Sequence, residues 1–184
     1  MSILTNSDLK VYYQSTVRPA LKQELKLAND LAVPRLTKVS LNVGLSQGKA
    51  TAKLEEVVLQ TLSRITGQKP VLTRAKKSIS NFKIREGQAV GAMVTLRGAR
   101  MYSFVEKLIR VALPRVRDFR GLPVNSIDGR GNLTIGFREH MVFPEIRSDE
   151  IESVHGLQVT ISTTAGSKAR GQHLFQLLGF PFSD

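Results

Sequence analysis

The sequence predicts an α+β fold in which an antiparallel-type sheet carries helices on one face and leaves a polar face open. Three observations carry this expectation. Four segments alternate apolar and polar residues with a period of two, four longer segments repeat apolar residues at i, i+3 and i+4, and the two kinds are interleaved along the chain. With 184 residues, 41% of them hydrophobic, there is enough apolar material for one continuous core, and a single domain over residues 1–184 is expected.

Asp8 to Ala28 has helical spacing, with Leu9, Tyr13, Val17, Leu21, Leu25 and Ala28 on one face; Pro19 must kink or restart this helix. After Pro34, Val39, Leu41 and Val43 alternate with Lys38, Ser40 and Asn42, which places Asn42 on the polar side of a strand. Gly44-Leu-Ser-Gln-Gly48-Lys49 follows in the position of a phosphate-cradling loop, but only three residues separate its glycines and Ala50 offers no hydroxyl for magnesium. A cationic connection is therefore expected there, not a nucleotide site. Leu54, Val57, Val58, Thr61, Leu62 and Ile65 then mark an amphipathic helix with Lys53 and Arg64 outside its stripe.

The stretch from Leu62 to Arg85 joins a helix end, a short strand and a cationic loop. Gly67 can take the left-handed conformation that ends a helix and Pro70 prevents its resumption, leaving Gln68 and Lys69 at a turn. Arg74, Lys76, Lys77, Lys83 and Arg85 follow without a carboxylate between them, so a loop over 74–85 is expected to project toward an anionic partner. Ile79, Phe82 and Ile84 argue for partial order within it.

Ala92, Val94 and Leu96 alternate with Met93, Thr95 and Arg97 in a further strand, with Thr95 and Arg97 on the exposed side. Met101, Phe104, Val105, Leu108, Ile109 and Ala112 form a helical stripe that Pro114 should stop. Arg115, Arg117 and Arg120 around Asp118 fit either a solvated loop with one local ion pair or a direct RNA contact. Asp128 to Asn132 is a turn by composition. Leu133, Ile135 and Phe137 then alternate with Thr134, Gly136 and Arg138 as a strand, Glu139 to Glu145 is expected to be an exposed loop, and Leu157, Val159 and Ile161 alternate with Gln158, Thr160 and Ser162. Ser167 should cap a last helix through Leu174 and Leu178, ended by Gly179, and the tail from Pro181 adds little.

Lys and Arg number 27 against 15 Asp and Glu, a formal charge of +12 that points to nucleic acid or an anionic surface. The absence of cysteine excludes disulfides, thiolate metal sites and cysteine nucleophiles, and the absence of Trp argues against extensive base stacking. No apolar run approaches the roughly 18 residues of a membrane span and no signal-type block follows Met1, so a cytosolic protein without a membrane partner is expected. His140, His155 and His173 lack metal-pair or triad spacing, and the adjacent carboxylates Glu55-Glu56 and Asp149-Glu150 do not make an acid and base pair. No enzyme, metal or cofactor is expected. Short hydroxyls, amides and a guanidinium at Ser40, Asn42, Thr95, Arg97, Gln158, Thr160 and Ser162 suit a folded or duplex RNA recognised by shape.

Seven blocks carry a resemblance to a known family: Ser40-Leu-Asn-Val-Gly44, Ile65-Thr-Gly-Gln-Lys-Pro70, Ala75-Lys-Lys-Ser78, Phe82-Lys-Ile-Arg85, Val94-Thr-Leu-Arg-Gly98, Pro114-Arg-Val-Arg-Asp-Phe-Arg-Gly121 and Phe143-Pro-Glu145. The chain resembles the bacterial-type large-subunit ribosomal protein five family from about Val33 to Phe182. The resemblance implies binding of 5S rRNA in the central protuberance, with 23S rRNA and other 5S-associated large-subunit proteins as neighbours. It also implies a contact with P-site tRNA and a bridge to small-subunit protein thirteen. By motif, the family's 5S-binding residues fall on Asn42, Gln68 and Thr95, with Ser40, Lys69 and Arg97 beside them. The transfer-RNA-facing loop falls on Arg74, Lys76, Lys77, Lys83 and Arg85, and the bridge near Arg115 to Arg120 and Phe137 to Glu145. Ser183-Asp184 stands where many relatives have basic residues, which leaves the tail outside the expected RNA contacts. A free-standing RNA chaperone or regulator using the same polar face is the competing expectation.

Overall fold

Each strand expected from alternation forms, and the short one after Pro70 joins them. The computed structural model describes residues 8–45, 52–146 and 154–183. Strands β1 (Leu36–Gly44), β2 (Val71–Arg74), β3 (Ala89–Leu96), β4 (Leu133–Phe137) and β5 (Leu157–Thr163) form an antiparallel open sheet in the order β2-β3-β1-β5-β4. Leu41, Val43, Ala92, Val94, Ile135, Val159 and Ile161 are buried, whereas Asn42, Met93, Gly136 and Gln158 on the alternate positions are exposed. The phosphate-loop candidate after Leu45 and the Asp149-Glu150 pair lie outside the described residues.

The chain divides into two compact units, Met1–Val39, Leu96–Ile135 and Thr160–Asp184 in the first, Ser40–Thr95 and Gly136–Val159 in the second. In the first, α1 (Leu9–Tyr12) starts at Asp8, whose carboxylate accepts from the Lys10 N–H at 3.0 Å. The next turn, Tyr13–Val17, widens to a π-helix before α2 (Arg18–Glu24). Pro19 explains the widening, because its ring would crowd the carbonyl four residues back and it has no N–H to offer; the Arg18 N–H reaches Tyr13 O instead. The same device precedes Pro114: α4 (Gly98–Lys107) passes through a π-helical turn, Leu108–Ala112, into a 3₁₀ turn, Leu113–Arg115, so the helix runs past its expected stop.

The first helix ends at Glu24, earlier than its apolar spacing suggests. Lys26 adopts φ 49° and Ala28 is exposed; Asp30 then bonds Lys22 Nζ at 2.6 Å, and that contact holds its carboxyl below the usual range. Leu9, Tyr13, Val17 and Leu21 are buried; α1 packs on α4, and Tyr13 in the π-helical turn after α1 meets Tyr102 of α4, their ring centroids 6.1 Å apart. The Tyr13 hydroxyl donates to Pro34 O at 2.8 Å, and burial pushes its pKa to about 12. Ser167 caps α5 (Lys168–Leu177) as expected, its hydroxyl accepting from the Arg170 N–H at 3.5 Å.

The tail does more than its composition suggests. Leu122 N–H donates to Pro181 O at 2.8 Å and Ser183 N–H to Leu122 O at 3.0 Å, giving a parallel bridge between Leu122 and Phe182. Gly121 permits it: φ is 103°, and a Cβ there would meet Ser183 N at 2.5 Å.

In the second unit α3 (Ala52–Thr66) buries Val58, Leu62 and Ile65. Truncating the fully buried Leu62 to Ala should cost about 2–5 kcal/mol. The segment expected as an exposed loop, Glu139 to Glu145, is instead anchored. It forms a 3₁₀ turn, His140–Val142, buries Phe143 completely and packs it edge-on against Phe137 at 5.7 Å. His140 and His155, isolated in sequence, stack with ring centroids 4.1 Å apart and planes at 10°.

Candidate nucleic-acid interface

None of the five strands contains an Asp or Glu, so the polar residues that the sheet presents are amides, hydroxyls and cations without a carboxylate. Within the second unit, the best-defined part of that side is the corner where α3 ends. Thr66 Oγ1 donates to Leu62 O at 2.6 Å, Gly67 takes φ 64°, and its N–H donates to Ser63 O at 2.8 Å. This closure turns the chain so that the Gln68 side chain meets the end of β3: Gln68 Nε2 donates to Thr95 O at 3.2 Å. Gln68 and Thr95 are thus brought together, both half-buried.

Asn42 is exposed and Ser40 half-buried on β1, the strand next to β3. Lys69 is exposed just after Gln68. Arg97 is not a strand residue: it is the extended N-cap residue of α4, exposed, and belongs to the first unit.

The loop after β2 is more ordered than a run of like charges suggests. Ala75 N–H donates to Gln88 O and Gly87 N–H to Ala75 O, both at 2.9 Å, which closes its base. Arg74 spans that base, donating to Gly87 O at 2.8 Å. Farther out, Ile79 and Ile84 exchange main-chain bonds of 2.9 and 3.2 Å around a 3₁₀ turn, Ser80–Phe82, with Lys83 left-handed at φ 52°. The loop is therefore closed by its own main chain. Lys76, Lys77, Lys83 and Arg85 are exposed, and no ion pair among the described residues engages them. Phe82, 59% exposed, stands among them.

Arg115, Arg117 and Arg120 are exposed in the first unit, and Asp118 adopts φ 52°. Among the described residues, no cluster of three or more His, Asp or Glu could hold a metal ion, and no helix is long and apolar enough to cross a membrane. The sequence missed two features here: the exposed pair Val71 and Met93, opposed across β2 and β3, and the stacked histidines. The alternation already placed Met93 beside Thr95 in its strand; its partner could not be named without the strand register.

Two family models match the chain, one described as ribosomal protein L5 over residues 29–85 and one as the C-terminus of the same ribosomal family over residues 89–182. Among curated relatives, the large ribosomal subunit protein uL5 of Halothermothrix orenii is 51% identical over 177 residues, 96% of this chain and 99% of that protein. The protein of the same name from Synechocystis is 52% identical over 174 residues, 95% of this chain and 97% of its own length. That from Anaeromyxobacter sp. strain K is 49% identical over the same shares.

Proposed function

We propose, from the premise that the chain belongs to the ribosomal protein L5 family, that it holds two RNAs on two separate surfaces of its second unit. The chain is a structural constituent of the large ribosomal subunit, an RNA-binding protein of the bacterial cytoplasm, and not an enzyme. The first surface is the polar corner of Gln68 and Thr95 with Asn42, Ser40 and Lys69, and its partner is 5S rRNA. Arg97 adds a cation beyond the end of β3. The second is the loop carrying Arg74, Lys76, Lys77, Lys83 and Arg85, and its partner is P-site tRNA. The reading extends to 23S rRNA and 5S-associated proteins as neighbours, and to small-subunit protein thirteen as the contact of Arg115 to Arg120 and Phe137 to Glu145. Residues 1–184 act in this reading as one RNA-binding domain.

The observation that carries the proposal is the contrast in satisfaction. At the corner, the Gln68 side chain is held at a fixed position by its bond to Thr95 O, as recognition of RNA shape and 2′-hydroxyls needs. On the loop, cations without an ion pair among the described residues stand on a closed backbone, which suits phosphate contacts that position an RNA without selecting its sequence.

Competition binding tests it. Labelled 5S rRNA should be displaced by unlabelled 5S rRNA far better than by a scrambled duplex at moderate salt. With roughly five phosphates neutralised, log affinity should fall with log salt at a slope of about −3.5 to −4.5. Equal displacement by the scrambled duplex would favour a general RNA chaperone.

A further inference from the structure

On the open side of the sheet one cross-strand pair is neither polar nor covered. Val71 on β2 lies opposite Met93 on β3, and the two are 66% and 40% exposed. Met93 and Thr95 are two residues apart on one strand and so share a face. The apolar pair therefore borders the corner where Gln68 Nε2 holds Thr95 O. Exposed cations flank β2, with Lys69 ahead of Pro70 and Arg74 as its last residue.

Two kinds of partner fit an exposed apolar pair on an edge strand, a protein strand or a nucleic acid. The edge itself argues against the first. Pro70 precedes β2, the strand is only Val71–Arg74, and its register breaks between Thr73 and Arg74. Short, bulged edges blunt strand addition. A carboxylate-free face with cations at both ends of the strand favours the second. The A-form minor groove is wide and shallow, lined by ribose carbons and 2′-hydroxyls, and a flat aliphatic pair can rest on it where a charged side chain would lose hydration.

We infer that Val71 and Met93 form the apolar floor of an RNA-docking surface, resting on the ribose faces of a double-helical segment and excluding water from the neighbouring contacts of Gln68, Thr95 and Asn42. The inference rests on the reading that this face binds 5S rRNA. Water exclusion around a polar contact strengthens it and makes an otherwise neutral pair important to affinity.

The test uses the full chain, a 5S rRNA transcript and the variants Val71→Thr, Met93→Gln, the double variant, Met93→Leu, Lys69→Ala and Asn42→Ala. The double variant should bind about 10-fold or more weakly with an unchanged salt slope, whereas Lys69→Ala should flatten the slope by about 0.9, and Met93→Leu should bind like the parent. Melting temperatures of the Val71 and Met93 variants should match the parent, because both side chains are exposed. The inference is overturned if the double variant binds as tightly as the parent while Asn42→Ala weakens binding, or if its stability falls while affinity is retained. If Asn42→Ala and the double variant both bind normally, the assignment of 5S rRNA to this face fails, and the inference with it.

Discussion

The corner at Gln68 and the loop after Arg74 sit a few residues apart in one unit, yet their side chains are used in opposite ways. At the corner, the fold takes up part of the polar capacity: Gln68 commits its amide N–H to Thr95 O, and Thr66 commits its hydroxyl to Leu62 O. On the loop, main-chain bonds and Arg74 close the hairpin, while the side chains of Lys76, Lys77, Lys83 and Arg85 take no part in closing it. A contact that also holds the fold gives a fixed geometry and couples binding to stability. A contact made by exposed cations gives attraction at distance and can be removed without loosening the chain.

The largest expected effect tests the loop. Replacing Lys76, Lys77, Lys83 and Arg85 by Ala should reduce the salt slope for transfer RNA by about 3–4, leaving about 100-fold less salt sensitivity between 50 and 200 mM. The melting temperature and 5S affinity should stay unchanged. A loss of 5S binding in this variant would break the division between the two regions.

The corner gives a smaller effect of a different kind. Gln68→Ala should weaken 5S binding and also cost about 1 kcal/mol of stability, since it removes the bond to Thr95 O. Asn42→Ala, at an exposed position, should weaken binding alone. Denaturant midpoints of the two variants would separate them. Equal midpoints would mean that the Gln68 amide contributes nothing to the fold.

Smaller still is the effect of loosening the loop without discharging it. Arg74→Ala removes the bond to Gly87 O, so amide exchange at Ile79 and Ile84 should speed up, while transfer RNA binding falls by no more than the loss of one phosphate contact, a slope change of about 0.9. Unchanged exchange rates would show that the main-chain bonds suffice.

A pH series supplies a control outside both regions. Burial, reinforced by the adjacent His140 ring, lowers the pKa of His155, and its Nε2 has no hydrogen-bond partner among the described residues. Above the ordinary histidine pKa of about 6.5 the folded and unfolded forms are both neutral and the group is silent. Below it the unfolded chain takes the proton first, so stability should fall as pH drops and level off once pH passes the folded-state value. Urea midpoints at pH 7.5 and 5 should show this slope, and His155→Gln should flatten it.

Period-two alternation was enough to locate β1, β3, β4 and β5, because a sheet with one covered face forces apolar residues onto alternate positions whatever the neighbours are. Ser167 and Gly67 were equally legible, since a cap and a left-handed helix end depend on local chemistry. So were the exposure of Asn42 and the cationic character of the loop. Glu139 to Glu145 was not, because its polar residues conceal how completely Phe143 and His140 are buried once Phe137 and His155 pack against them.

By itself, then, the sequence determined the α+β class, the strand faces, the carboxylate-free sheet and the family. These follow from side-chain spacing and charge, which the chain carries before it folds. Tertiary structure alone decided that Gln68 would meet Thr95, that Val71 would oppose Met93, that His140 would stack on His155, and that the tail would bridge to Leu122. Each of these joins residues far apart along the chain. Local preferences do not encode which pairs meet; register and packing set that when the core closes.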